Sequence, residues 1–243
     1  MANTSERRVR RGRSARRETR ANEAPQAMAP YIKRQIPLTE LLSDEGLAII
    51  EANADTLLEE IGIEFRDDAE AIALWQGAGA EISGERVRFP KGMLRAIIKT
   101  VPAVFTQNAR NPARNIEIGG DAMVFAPVYG PPFVSDIDQG RRYGTIEDFR
   151  NFAKLTYMLP YLHHAGGTLC EPVDLPVNKR HYDMVYSHIK YSDKAFMGSV
   201  PAPQRAEDSV RMAEIVFGTD FVDKNTVLLN LINVNSPLVY DAT

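Results

Sequence analysis

TIEDFRNFAKLTYMLPYLHHAGGTLC, residues 145–170, is the stretch on which the fold turns. Thr145 with Asp148 three residues on is a capping-box start, and the apolar residues that follow recur at helical spacing, so a helix is expected over Thr145–Leu159. Its second half, His163–Cys170, is short and ends in small and β-branched residues, which reads as a strand. The same rhythm then repeats. Helix Pro176–Tyr191 leads to strand Ala195–Val200, and helix Pro203–Phe217 leads to strand Thr226–Val234. With Met123–Pro127 counted as the first, four strands alternate with helices, which is the signature of a parallel βα fold.

Working upstream, apolar residues from Leu38 to Ile61 recur at helical spacing, with Thr39 or Ser43 and Asp44 as caps and Gly62 as the stop. A second short helix is expected from Asp67 to Gln76, forming a helical hairpin with the first. Ala80–Phe89 reads as two short strands around Ser83-Gly84, Pro90 opens a further helix that Pro102 ends, and short strands follow at Ala103–Asn108 and Asn115–Ile118.

None of the βα turns carries GxGxxG or GxxxxGK[ST], so a nucleotide-binding open sheet lacks its best local evidence. A (β/α)8 barrel fits the rhythm better. Such a barrel takes about 250 residues, and only about four βα units are readable here, so the expected fold is α/β: a partial TIM-type barrel over residues 123–243. A helical and short-strand region over residues 31–122 precedes it, and the barrel is expected to be truncated.

Of 29 Lys/Arg and 32 Asp/Glu, residues 1–34 hold ten basic and three acidic, so a basic tail precedes an acidic body. Eight arginines lie between Arg7 and Arg20 with no apolar periodicity among them, and residues 1–30 are expected to be disordered. The composition admits a nucleic-acid tether or a solvated extension. The second is favoured, and no nucleic-acid partner is expected. No run of about 18 apolar residues and no secretory signal is present, so a cytoplasmic protein without a membrane span is expected. One cysteine, Cys170, excludes an internal disulfide and any multi-cysteine metal site. It reads as a buried hydrophobe, with a nucleophile as the alternative.

In a parallel barrel the working side chains stand at the carboxyl ends of the strands. Those positions are polar here: Cys170-Glu171-Pro172-Val173-Asp174, Gly198-Ser199-Val200, and Asn230 through Ser236. Glu171 is the candidate charge for a cationic substrate, with an ion pair to an arginine or lysine as the alternative. Asn233 and Asn235 fall on one face of their strand and, with Ser236, are candidates to bind a polar ligand or to satisfy buried backbone. Asp174 reads as the cap of the helix near Pro176. Of Tyr129, Phe133, Tyr157, Tyr161 and Phe196, most read as core; Tyr129, past a strand end, is the one singled out to meet a methylated ammonium through its π face, with a core role as the alternative. His163 and His164 lack the company a metal needs, and no metal site is expected.

Taken together, several ordered segments resemble the trimethylamine methyltransferase family. These are Gly130-Pro131-Pro132-Phe133-Val134, Asp136 to Asp138, Gly140-Arg141-Arg142, Thr145 and Asp148; then Cys170-Glu171-Pro172 with Asp174 and Arg180; Ser192-Asp193-Lys194; Asp208 with Met212-Ala213-Glu214; and Asn233-Val234-Asn235-Ser236-Pro237-Leu238. The resemblance covers about residues 36–241 and implies a (β/α)8 barrel. It implies transfer of a methyl group from trimethylamine, or from a quaternary amine such as glycine betaine, to cob(I)alamin on a small corrinoid protein. The corrinoid is then held by that partner and not by this chain. A homo-oligomer is expected, and the activating residue, pyrrolysine in true trimethylamine enzymes, is expected beyond Thr243. Tyr129, Glu171, Ser199, Asn233, Asn235 and Ser236 are the expected substrate-binding residues. The alternative is a non-catalytic amine-binding or assembly subunit on the same fold.

Overall fold

A computed structural model describes residues 32–199, 202–232 and 236–240. The basic tail expected over residues 1–30 lies outside them, as do Asn233 and Asn235.

Strand β1 (Ile32–Lys33) is followed by helix α1 (Asp44–Glu60). Ser43 Oγ accepts the Gly46 N–H at 3.2 Å, and Asp44 and Glu45 in the first turn complement the helix dipole. Gly62, at φ 71°, ends the helix where a Cβ would run into the carbonyl of Val87. The expected helical hairpin does not form. Strand β2 (Ile63–Phe65) intervenes before helix α2 (Ala69–Ala78), capped by Asp68; α2 contacts strand β3 (Glu81–Ser83) and α1 contacts strand β4 (Arg86–Arg88). Three residues are too few for a period to be seen, yet Ile63 pairs with Val87 and helps close a small core of Val87, Phe89, Trp75 and Leu58. The Trp75 and Phe89 rings meet edge to face at 4.9 Å.

Helix α3 (Met93–Ile98) leads to the antiparallel pair β5 (Val104–Gln107) and β6 (Ile116–Gly119), and then to β7 (Ala122–Met123), which pairs with β1. An unanticipated hairpin follows, β8 (Phe133–Asp136) with β9 (Gly140–Tyr143). Its turn is built by Asp136 Oδ1, which accepts N–H groups from Asp138 and Gln139, and by Gly140 at φ 67°.

Helix α4 (Ile146–Met158) has the expected capping box between Thr145 and Asp148. Helix α5 (Arg180–Tyr191) starts four residues later than Pro176, because residues 172–179 are spent in turns. Asp174 caps no helix there: its Oδ1 accepts the Ile146 N–H at 2.9 Å, so it caps α4 from across the fold. Strand β10 (Phe196–Met197), helix α6 (Pro203–Phe217), the short helix α7 (Thr219–Lys224) and strand β11 (Leu228–Leu229) complete the alternation, and β12 (Val239–Tyr240) returns to pair in parallel with β2.

The fold is therefore mixed α/β, with five small sheets and no closed barrel among the described residues. The four long strands expected from the sequence shrink to the parallel pair β10–β11. Backbone hydrogen bonds nevertheless link four extended segments side by side in chain order. Phe125 O accepts from His163 and His164, Gly130 N–H donates to Thr168 O, Ala165 N–H to Ala195 O, Met197 N–H to Gly166 O, and Gly198 N–H to Leu229 O. Gly166, at φ 87°, interrupts the regular register, which is why the second segment is not a regular strand. On one side of these segments Ala165, Phe196 and Leu228 pack against Val185 and Ile189 of α5 and Met212 and Phe217 of α6. That is the helix layer, and the alternate residues face the other way.

Candidate functional site

Tyr129, Gly167 and Met197 come together on that opposite face. Tyr129 ends the first segment and is 41% exposed. Its ring lies across Gly167: a Cβ on Gly167 would stand 2.5 Å from Tyr129 Cε2 and 3.1 Å from Met197 Cβ. Met197 alternates with Phe196, whose side chain is in the helix layer, so the aromatic face and the methionine line the side away from the helices. The Gly167 carbonyl accepts a hydrogen bond at 2.7 Å from Nε2 of His188, a buried residue of α5.

Glu171 is partnered. Its Oε2 accepts from an Arg180 guanidinium N–H at 2.8 Å, with the glutamate side chain 37% exposed and the arginine 16%. The ion-pair alternative is thus realised, with an arginine at the start of α5, while one edge of the carboxylate stays open to solvent. Ser199 is buried, and its backbone N–H donates to Ser209 Oγ at 3.0 Å, which ties the end of the third segment to α6. Ser236 is exposed. Asn230 turns to the helix side, since a Cβ on Gly198 would meet its Oδ1 at 2.5 Å and Ser209 Cβ at 3.0 Å. Tyr129 and Gly167 are brought together, whereas the partners of Glu171 and Ser199 are Arg180 and Ser209.

All four histidines are buried. His163 Nδ1 accepts the Phe125 N–H at 3.1 Å and its ring stacks on Phe125. His164 Nδ1 accepts the Gly166 N–H at 2.8 Å, while its Nε2 faces Gln107 Oε1 at 3.2 Å. The Gln107 amide in turn donates to the carbonyls of Phe196 and Val227, joining the β5–β6 hairpin to the parallel segments. Burial, with some repulsion from His188, pushes His164 down to about 4. Burial does the same to His188, also to about 4, against the pull of the Gly167 carbonyl. Both imidazoles are neutral near pH 7. His181 Nε2 stands 2.9 Å from Asp208 Oδ2 and links α5 to α6. Among the described residues no group of His, Cys, Asp and Glu could hold a metal ion. Cys170 is fully buried, and burial, with the carboxylates of Asp148, Glu171 and Asp174 behind it, pushes its thiol up to about 12, which disfavours the thiolate a nucleophile needs.

Sequence reasoning did not find Gly167 or His188. Gly167 read as part of a strand with no side chain to notice. His188 was findable, because it stands at helical spacing from Met184 and Val185, both buried on the inner face of α5.

The family description Trimethylamine methyltransferase (MTTB) matches residues 9–243. The chain is similar to a glycine betaine methyltransferase of Desulfitobacterium hafniense (strain Y51), 44% identical over 207 residues that cover 85% of this chain and 43% of that protein. It is also similar to a proline betaine:corrinoid methyltransferase of Eubacterium limosum, 24% identical over 225 residues, covering 86% of this chain and 44% of that protein. The chain thus spans less than half the length of these curated relatives.

Proposed function

The chain belongs to the trimethylamine methyltransferase family, and from that premise we propose that the whole protein transfers a methyl group from a quaternary amine, of the glycine betaine type, to a corrinoid carried by a small partner protein. The names of the two relatives, one of which specifies a corrinoid acceptor, support this reading. The observation that carries it in this chain is Tyr129. Its half-exposed ring stands at the carboxyl end of the first parallel segment, on the side away from the helices, where a methylated ammonium can lie against the π face.

A tetraalkylammonium already has a neutral amine as its leaving group, so the protein's task is to orient one C–N bond and keep water out. Tyr129 with Met197 supplies an apolar and aromatic wall for the methyl groups. The open edge of Glu171 supplies negative charge at longer range, and Ser199, Asn233, Asn235 and Ser236 are assigned to the polar remainder of the substrate. The corrinoid on the partner is the methyl acceptor.

The four hydrogen-bonded segments, the first three each followed by a helix or a helix-bearing excursion, support residues 123–243 as the first part of a (β/α)8 barrel, with residues 31–122 as a preceding region and 1–30 as a tail. A homo-oligomer is part of the proposal. Helix α1 has no buried residue and, with its C-cap Ile61, exposes Leu47, Ile50 and Leu57 at seam spacing. No helix among the described residues is long and apolar enough to cross a membrane, and a cytoplasmic setting fits the proposed chemistry.

The test is the full-length protein with cob(I)alamin on a corrinoid protein and a panel of methylated amines, read as loss of cob(I)alamin absorbance. Turnover with a quaternary amine is expected. Tight betaine binding without transfer would instead favour a binding or assembly subunit.

A further inference from the structure

We infer that Gly167 and His188 are positioning residues that set the Tyr129 ring for cation recognition, Gly167 by leaving the space the ring occupies and His188 by anchoring the Gly167 carbonyl. The inference rests on the reading of Tyr129 as an ammonium-binding residue and adds two residues to it.

Three observations carry it. Gly167 is not needed for its backbone freedom, since it stands outside the left-handed region in which Gly166, its neighbour, sits at φ 87°. It is needed for space. A methyl group there would lie 2.5 Å from Tyr129 Cε2, so the ring would have to retreat by about 1 Å to regain ordinary carbon–carbon contact. Met197 Cβ stands 3.1 Å from the same point, so the added methyl is crowded by both residues, and the half-exposed ring has room to give way.

The second observation is the anchor. His188 is 1% exposed and lies between the rings of Phe149, at 5.3 Å and edge-on, and Phe196, at 6.0 Å and stacked. It is thus fixed in the helix layer and reaches through to Gly167 O at 2.7 Å. With Nε2 as the donor, the ring is a neutral tautomer, as burial requires. The third is the bond from Gly130 N–H to Thr168 O at 2.7 Å, which holds the residue after Tyr129 to the residue after Gly167. Tyr129 and Gly167 are therefore locked side by side, and whatever shifts Gly167 shifts the surface on which the ring rests.

A change in ring placement alters recognition of charge more than recognition of bulk, because the attraction of a cation to a π face depends on its distance from the ring while an apolar group needs only contact. The experiment uses the full-length protein and calorimetry with two probes of the same shape, choline and its uncharged carbon analogue 3,3-dimethyl-1-butanol. The readout is the ratio of their dissociation constants. The wild type should prefer the cation. Gly167→Ala and His188→Met should each reduce that preference by about three- to tenfold, as Tyr129→Leu does more completely. His188→Gln, which keeps a donor near the Nε2 position, should retain most of it. Thermal unfolding of each variant identifies any that fails to fold, and Gly167→Ala and His188→Met test the inference independently. A wild-type ratio in both, beside loss in Tyr129→Leu, overturns the positioning role and leaves the ammonium site intact. A wild type with no cation preference overturns both the site and its positioning, and the cob(I)alamin assay then decides whether the methyl-transfer reading falls with them.

Discussion

The ammonium of Lys194 stands 2.6 Å from the carbonyl oxygen of Leu162. The same Nζ donates to the carbonyls of Thr156 at 2.7 Å and Leu159 at 3.0 Å, so its three hydrogens meet three acceptors at and beyond the end of α4. Helices leave their last carbonyls without partners inside the helix, and a cation at that end also complements the dipole. Lys194 is only 1% exposed, and it comes from the loop that enters β10, which ties the third parallel segment to the helix before the second.

Replacing Lys194 with Met keeps the length and removes all three donors. The unfolding free energy, read from urea midpoints, should fall by roughly 2–4 kcal/mol as buried carbonyls lose their partners. A loss under about 0.5 kcal/mol, the range of an ordinary surface change, contradicts this assignment.

His164 and His188, each held at about 4 in the folded protein by burial, give a pH dependence of defined sign. Their folded pKa values lie below the usual 6.5, so the stability they contribute is fully present above about pH 6.5 and is lost as pH falls through about 4. Thermal midpoints should therefore be level from pH 7 upward as far as these groups are concerned and decline steadily between 6.5 and 4. His188→Gln should make that decline shallower, because one of the two protons is no longer taken up. A wild-type midpoint that does not change over this interval rules the assignment out.

Glu171 separates a stability role from a binding role. Its pair with Arg180 is more than a third exposed on the carboxylate side, so Glu171→Gln should cost no more than about 1 kcal/mol of stability. In the full-length enzyme the same change should raise KM for a quaternary amine while kcat stays within about twofold, as expected when ground-state and transition-state binding weaken together. An unchanged KM assigns Glu171 to the ion pair alone.

The helices were largely readable and the strands were not, for a physical reason. Helix α6 runs from Pro203 to Phe217 as expected, since Pro at a first helical position and a long apolar period are local signals. The capping box of Thr145 and Asp148 is equally local. By contrast, β2 has three residues and β12 two, and their pairing joins Glu64 to Val239, far apart in the chain. Asp174 was misread because the amide it caps belongs to Ile146, which no local pattern reveals. Among the candidate residues, Tyr129 could be singled out from the sequence as an aromatic past a strand end, and Glu171 as a charge whose partner, Arg180, had to be seen. Gly167 offers no side chain to notice, and its closeness to Tyr129 arises from another segment.

Methyl transfer by the full-length protein tests the proposed function at its centre. With glycine betaine and cob(I)alamin on a corrinoid protein, cob(I)alamin absorbance should be lost at a rate proportional to enzyme, and Tyr129→Leu should slow this at least tenfold at low substrate. No loss of cob(I)alamin with any quaternary amine or with trimethylamine would contradict it.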